Sequence, residues 1–288
     1  MGKNYFIGTL LPDLEIGQPA PISFEKLIQL FRDGLSTEEN RQVEVIRRYF
    51  DIENLRAYWK GDILNPKGLL NKQELEESLF FEKNFPRYVF QFLDTYETVD
   101  LRLKHFAELI AAYYREEAAS AKGFLKAYLI FERKLRLFQV AFRAFQLKRS
   151  LLEELHFESA DEQMVQTLLD LEDGSIFLPP EEYEELHYIF KNNANTPIKL
   201  FQALSVYRFT EVQKIVNCGV AMQDDSNMAC SLSLQDDFSI DRFLGYLVQL
   251  IIIEKWNELN SKDVGRHSDE CGVDLEKVCG LHKLKRDI

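Results

Sequence analysis

The 288-residue chain contains no GxGxxG or GxxxxGK[ST] phosphate loop, no HExxH and no GxSxG. The common sequence routes to nucleotide binding, zinc proteolysis and serine hydrolysis therefore lack support. Histidine is sparse at five residues, a small stock for acid–base work. The four cysteines (Cys218, Cys230, Cys271, Cys279) form no CxxC pair and no Asn-x-Ser/Thr acceptor occurs, so a reduced, cytoplasmic setting is expected. Long apolar runs are missing as well. Phe243 to Ile253 offers 11 uncharged residues where a membrane span needs ~20, and it reads as a buried helix. Met1 to Leu11 lacks a convincing signal-peptide core or cleavage site and is expected to be mature sequence forming a short strand. Positive charge is in deficit: 35 Lys plus Arg against 47 Asp plus Glu leaves −12. Wholesale binding to nucleic acid or to an anionic membrane would be repulsive.

What is present points to a helical protein. Hydrophobic residues at 46% and charged residues at 28% describe a globular chain rather than a disordered one. Its length is about twice the ~150-residue prior for one domain. The expected organisation is a helical body over residues 1–262, either one body or two lobes dividing near residue 120, followed by a polar tail at 263–288. Ser36-Thr37-Glu38-Glu39 is a capping box, and Gly61 is placed to end the helix it opens. Asn71 to Glu74 repeats the capping pattern, and Ser23 and Ser239 are further caps. Phe85 to Glu97 and Leu101 to Ala119 read as two more helices. Gly174 to Pro180 and Met222 to Asp237 read as loops.

The strongest periodicity is Phe124, Tyr128, Phe131, Leu135, Phe138, Phe142 and Phe145, with alternating spacings of four and three. It predicts one helix from about Lys122 to Leu155, ~50 Å long, with an aromatic core face. Charge is partitioned around it. Residues 122–150 carry eight bases and one acid, Glu132, whereas 151–190 carry twelve acids and no Lys or Arg. Two readings stay open: the two stretches pair with each other, or Lys126, Arg133, Arg136 and Arg143 form an outward basic rib for an acidic partner.

Two residue sets could hold a metal. Glu153-x-x-His156 and Glu184-x-x-His187 repeat the Glu-x-x-His pattern, whose members share a helix face and bind di-iron centres in four-helix bundles. His267, Cys271, Cys279 and His282 offer four zinc-type ligands, in an order that matches no familiar finger. No cofactor is expected on either account.

The stretch Arg48 to Arg56, with Phe50, Asp51, Asn54, Leu55 and Arg56 as its signature, resembles the Phe-Asp-x-x-Asn-Leu motif of the C/d-type family of V-type ATPase subunits, the funnel-shaped sockets of the central stalk. Ala127 to Arg136 and Gly245 to Leu259 echo it, with Lys134 and Trp256 where Asn is expected. The opening Asn4 to Leu14 is similar to an uncharacterised bacterial family encoded among V-type ATPase subunits. The resemblance implies a non-enzymatic accessory, assembly or central-stalk component that binds the rotor ring or shaft and meets the membrane only through those partners. The alternatives are a metal-binding helical protein and a general helical adaptor. The expected fold is mainly α, an elongated multi-helix assembly with a long central helix and one short N-terminal strand.

Overall fold

The computed structural model describes residues 2–158, 163–170, 183–218 and 239–264. Among them are thirteen helices and no strand. The expected N-terminal strand is instead α1 (Gly2–Leu10), whose Ile7 is 1% exposed. It packs on α2 (Phe24–Gly34), where Ser23 Oγ accepts from the Lys26 amide. A tight approach sets this contact, since a Cβ added at Gly34 would fall 2.4 Å from Ile7 Cδ1.

α3 (Thr37–Lys60) begins with the expected capping box, Ser36 and Glu39 bonding reciprocally, and ends at Gly61 with φ +75°. α4 (Lys72–Phe80) opens with the second box, Asn71 and Glu74. α5 (Arg87–Thr95) and α6 (Val99–Lys104) follow. The helix expected over 101–119 is broken at His105, which closes α6 and opens α7 (Phe106–Ser120).

α8 (Gly123–Leu147) carries the aromatic seam but is shorter than the seam predicts. At 25 residues it spans about 37 Å. Lys148 adopts a left-handed conformation (φ +52°) and stops it, and α9 (Leu151–Glu154) is a single separate turn. α10 (Gln163–Asp170), α11 (Glu184–Asn193), α12 (Pro197–Cys218) and α13 (Ile240–Val264) complete the described chain. None of the described helices is long and apolar enough to cross a membrane.

The buried apolar residues fall into two clusters. The first joins α2, α3, α5, α7, the start of α8 through Leu129, and Phe209, Val212, Phe243 and Leu247 of α12 and α13. The second begins on α8 at Leu135 and gathers Phe138, Phe142, Leu151, Leu155, Leu168, Leu186 and Phe190, with Leu200, Leu204 and Tyr207 of α12 against it. Thus α8 and α12 each run from one cluster into the other. As expected, the apolar stretch of α13 is core: Leu244, Leu247, Leu250 and Ile253 are fully buried.

Candidate functional site

Arg47, Asp51 and Asn54 occupy positions i, i+4 and i+7 of α3, one face of a helix. That face holds the chain's own loop between α3 and α4. Asp51 Oδ1 accepts from the amides of Leu69 (2.8 Å) and Leu70 (3.1 Å). Asn54 accepts from the Asn65 amide at 2.7 Å and donates to the Asn65 carbonyl at 3.0 Å. Arg47 donates to the carbonyls of Lys67 and Gly68. Gly68 is required here, because a Cβ would lie 2.5 Å from Asp51 Oδ1. Burial pushes the Asp51 carboxyl up to about 6, against the pull of the two amides and of Arg47 and Arg48. Leu55 is core, Phe50 meets Tyr49 edge-on, and the Arg56 guanidinium lies 5.3 Å from the centre of the Phe106 ring. Of the signature residues, Asp51 and Asn54 build the loop clamp together with Arg47 and Leu55 is core, whereas Phe50 is half-buried and Arg56 is exposed.

The basic rib is also largely internal. Arg133 (2.6 Å) and Arg136 (3.4 Å) both pair with Glu158, whose side chain is 1% exposed, and Arg136 also donates to the Ala107 carbonyl. Only Arg143 is exposed and Lys126 half-exposed. Those two are 17 residues apart, about 100° around the helix axis, and so do not share a face. The reading in which the basic and acidic stretches pair with each other therefore holds for Arg133 and Arg136, because Glu158 must have its charge compensated where water is excluded.

Between the two clusters, Glu132 of α8 lies between Leu129 and Leu135, and Arg208 of α12 between Tyr207 and Phe209. Glu132 Oε1 accepts from Arg208 Nε at 2.8 Å and from its terminal nitrogen at 2.6 Å. Burial raises the surrounding Tyr49, Tyr114 and Tyr128 hydroxyls, so this rim stays neutral. Nearby, Glu117 accepts from Arg48 (2.7 Å) and from the Tyr88 hydroxyl (2.9 Å).

The two Glu-x-x-His motifs do not converge. Glu153 and Glu184 are exposed, and His187 packs edge-on against Phe142 at 6.2 Å between ring centres. The reason is local: α9 ends at Glu154, so His156 has left the helix, and its Nδ1 meets the Glu153 carbonyl at 2.7 Å. Its Nε2 instead reaches Glu108 Oε1 at 3.5 Å, which also lies 2.9 Å from His105 Nδ1. His105, Glu108 and His156 present ligand atoms within 4.8 Å of one another, the metal-competent cluster among the described residues. The His105-x-x-Glu108 spacing at a helix start is the sequence signal for two of the three. His267, Cys271, Cys279 and His282, and the expected loops at Gly174 to Pro180 and Met222 to Asp237, lie outside the described residues.

Two surface features lie apart from these clusters. A cavity of about 580 Å³ lies between the segment after α1, the end of α12 and the start of α13. Its lining includes Asp13, Asn217, Arg242 and Tyr246, with neither histidine nor cysteine among the described lining residues. At the end of α4, Phe80 and Phe81 are 80% and 62% exposed, with rings edge-on at 4.8 Å. The turn beyond them holds Glu82 (φ +50°) and Asn84 (φ +65°) in the left-handed region.

The chain matches, over residues 1–268, a family described as "Protein of unknown function (DUF2764)". It belongs to that family. Relatives described as uncharacterized proteins occur in Chlamydia trachomatis (26% identical over 225 residues, 75% of this chain and 83% of the relative) and in Chlamydia muridarum (25%, with the same coverage). No solved structure matches the chain. The DUF2764 match overturns the resemblance to the C/d-type stalk sockets of V-type ATPases, to which neither the family nor these relatives give any link. The geometry removes the threefold echo too. Asp51 clamps a loop, Glu132 pairs with Arg208, and Glu254 accepts from the Phe24 amide and pairs with Lys67. Lys134 is exposed and Trp256 is core, so neither repeats the work of Asn54.

Proposed function

We propose that the protein is a non-enzymatic interaction component that docks a partner protein through the aromatic turn after α4. The observation that carries this reading is the Phe80–Phe81 pair, large apolar rings left in water on a turn whose backbone is itself constrained. Two non-glycine residues in the left-handed region cost on the order of 1 kcal/mol each. Holding them in place fixes the rings outward, with Lys83 bonded back to the Ser78 carbonyl and Asn84 to the Ser78 hydroxyl. Exposed aromatic anchors of this kind are what partner pockets bury at interfaces.

The test is tagged capture from native cells with the wild type and with Phe80→Ser/Phe81→Ser. A protein held by the wild type and lost from the double variant, with helical content and Tm unchanged, supports the reading. An identical set of captured proteins from both sinks it.

A further inference from the structure

We propose that His105, Glu108 and His156 form a binding site for one divalent transition-metal ion of the zinc class, a site distinct from the aromatic turn. The three residues come from both sides of the boundary between the clusters. His105 and Glu108 stand at the break between α6 and α7, whereas His156 follows α9, which packs in the second cluster.

The hydrogen bonds around the cluster orient it for a cation. A backbone carbonyl only accepts, so the 2.7 Å contact from His156 Nδ1 to the Glu153 carbonyl places the ring proton on Nδ1. In the neutral ring Nε2 then carries the lone pair, facing a carboxylate oxygen of Glu108 at 3.5 Å. In that state two acceptors face each other, an arrangement satisfied by a proton or by a metal ion between them. A backbone carbonyl fixing the tautomer of a ligating histidine is the usual outer-shell arrangement at metal sites.

Glu108 is held in the same manner. Its second oxygen accepts from the Tyr96 hydroxyl at 2.8 Å, leaving Oε1 for the cluster. Tyr96 stacks on the His105 ring, 4.4 Å between centres and 8° from parallel, which limits rotation of that imidazole. The Tyr96 carbonyl in turn accepts from Arg102 Nε at 2.6 Å.

The donor atoms lie within 4.8 Å of one another, close enough that a small adjustment of the side chains brings them to the ~3.3 Å between neighbouring ligands of a tetrahedral ion. With metal–ligand bonds of ~2.05 Å, separations of 2.9 Å and 3.5 Å correspond to angles of about 90° and about 117° at the metal. His₂Glu supplies three ligands of the imidazole and carboxylate type that zinc accepts, and tetrahedral zinc would complete its shell with water. His156 has 57% of its side chain accessible, so the ion has a path in and the fourth position faces solvent.

The experiment titrates the full chain with Zn²⁺ by calorimetry and with Co²⁺ by visible absorption. A Cys271→Ser/Cys279→Ser background removes the two thiols of the His267–His282 ligand set. The expected result is one ion per chain and a Co²⁺ spectrum without a thiolate charge-transfer band. His156→Ala should weaken affinity at least tenfold, and Glu108→Gln likewise. Saturating Zn²⁺ at about 100 times its Kd should raise the Tm by roughly 5 °C. His156→Ala alters an exposed side chain and should fold normally, so its loss of binding is interpretable on its own. Absence of stoichiometric binding, or undiminished affinity in His156→Ala and His105→Ala, overturns the proposal. It would mean that a proton alone joins these groups. The aromatic-turn capture experiment is unaffected by either outcome.

Discussion

If Arg133 and Arg136 serve Glu158 rather than a partner, removing them should cost stability, and the cost should vanish when Glu158 is removed too. Glu158 is 1% exposed at its side chain, with Arg133 at 2.6 Å and Arg136 at 3.4 Å, their side chains 16% and 19% accessible. Breaking a fully buried pair costs ~3 to 5 kcal/mol. The remaining Arg136 and the partial accessibility of both guanidinium groups reduce the expected loss for Arg133→Ala to about 2 to 3 kcal/mol. With an unfolding entropy near 2.1 cal/mol/K per residue, a chain of this length would lose about 4 °C in Tm. The assay is urea unfolding followed by far-UV circular dichroism on Arg133→Ala, Glu158→Ala and the double variant, with Arg143→Ala as the exposed control. The double variant should be about 1.5 kcal/mol or more better than additive, and Arg143→Ala should stay within ~0.5 kcal/mol of wild type. Additive losses within ~0.5 kcal/mol would refute the reasoning and return Arg133 to the surface rib.

Asp51 gives a pH test. Its folded pKa, pushed up to about 6 from 3.8, means that the native state holds a proton the unfolded state has released between those values. Its contribution to stability therefore falls as pH rises from about 4 through about 6, by at most about 3 kcal/mol. Asp51→Asn can still accept the two amides without a charge, and denaturant midpoints across that range should show the variant gaining on wild type as pH rises. Asp51→Ala leaves the Leu69 and Leu70 amides unsatisfied and should lose about 2 kcal/mol or more at every pH. Equal behaviour of the two substitutions would contradict the clamp. At Gly245 an added Cβ would fall 2.2 Å from Val216 Cγ2 and 3.5 Å from Phe124 Cε2. Gly245→Ala should thus destabilise by roughly 1 kcal/mol, overpacking exceeding the gain in helix propensity. Adding Val216→Ala should recover part of the loss, and a Tm for the pair below that of Gly245→Ala would exclude a steric cause.

The features legible in the sequence are those whose partners lie within a few residues. The boxes at Ser36–Glu39 and Asn71–Glu74, the Gly61 stop and the Ser23 cap all form as expected, because each bond closes within one turn. α1 reads as a strand because a short apolar run fits strand and helix equally, and only docking of Ile7 against α2 decides between them. The excess length expected of α8 has a similar origin. Nothing in Lys148 announces a left-handed stop, a conformation more often taken by glycine. Which bases pair inside is hidden as well, since Glu158 reaches Arg133 and Arg136 from 25 and 22 residues away. The metal-competent set is half visible. His156 stands out in its Glu-x-x-His motif, but its true companions belong to a different helix junction.

The order of the two clusters along the chain bears on synthesis. The second is assembled from consecutive segments, residues 135 to 190 with part of α12, whereas the first needs α2 to meet α13, as in the contact of the Phe24 amide with Glu254, 230 positions later. Emerging from a ribosome, the inner unit can close while the outer one is still missing its final wall. Until α13 arrives, the faces of α2, α3 and α8 that it covers stay wet, so the nascent protein is most open to aggregation and chaperone capture in that interval.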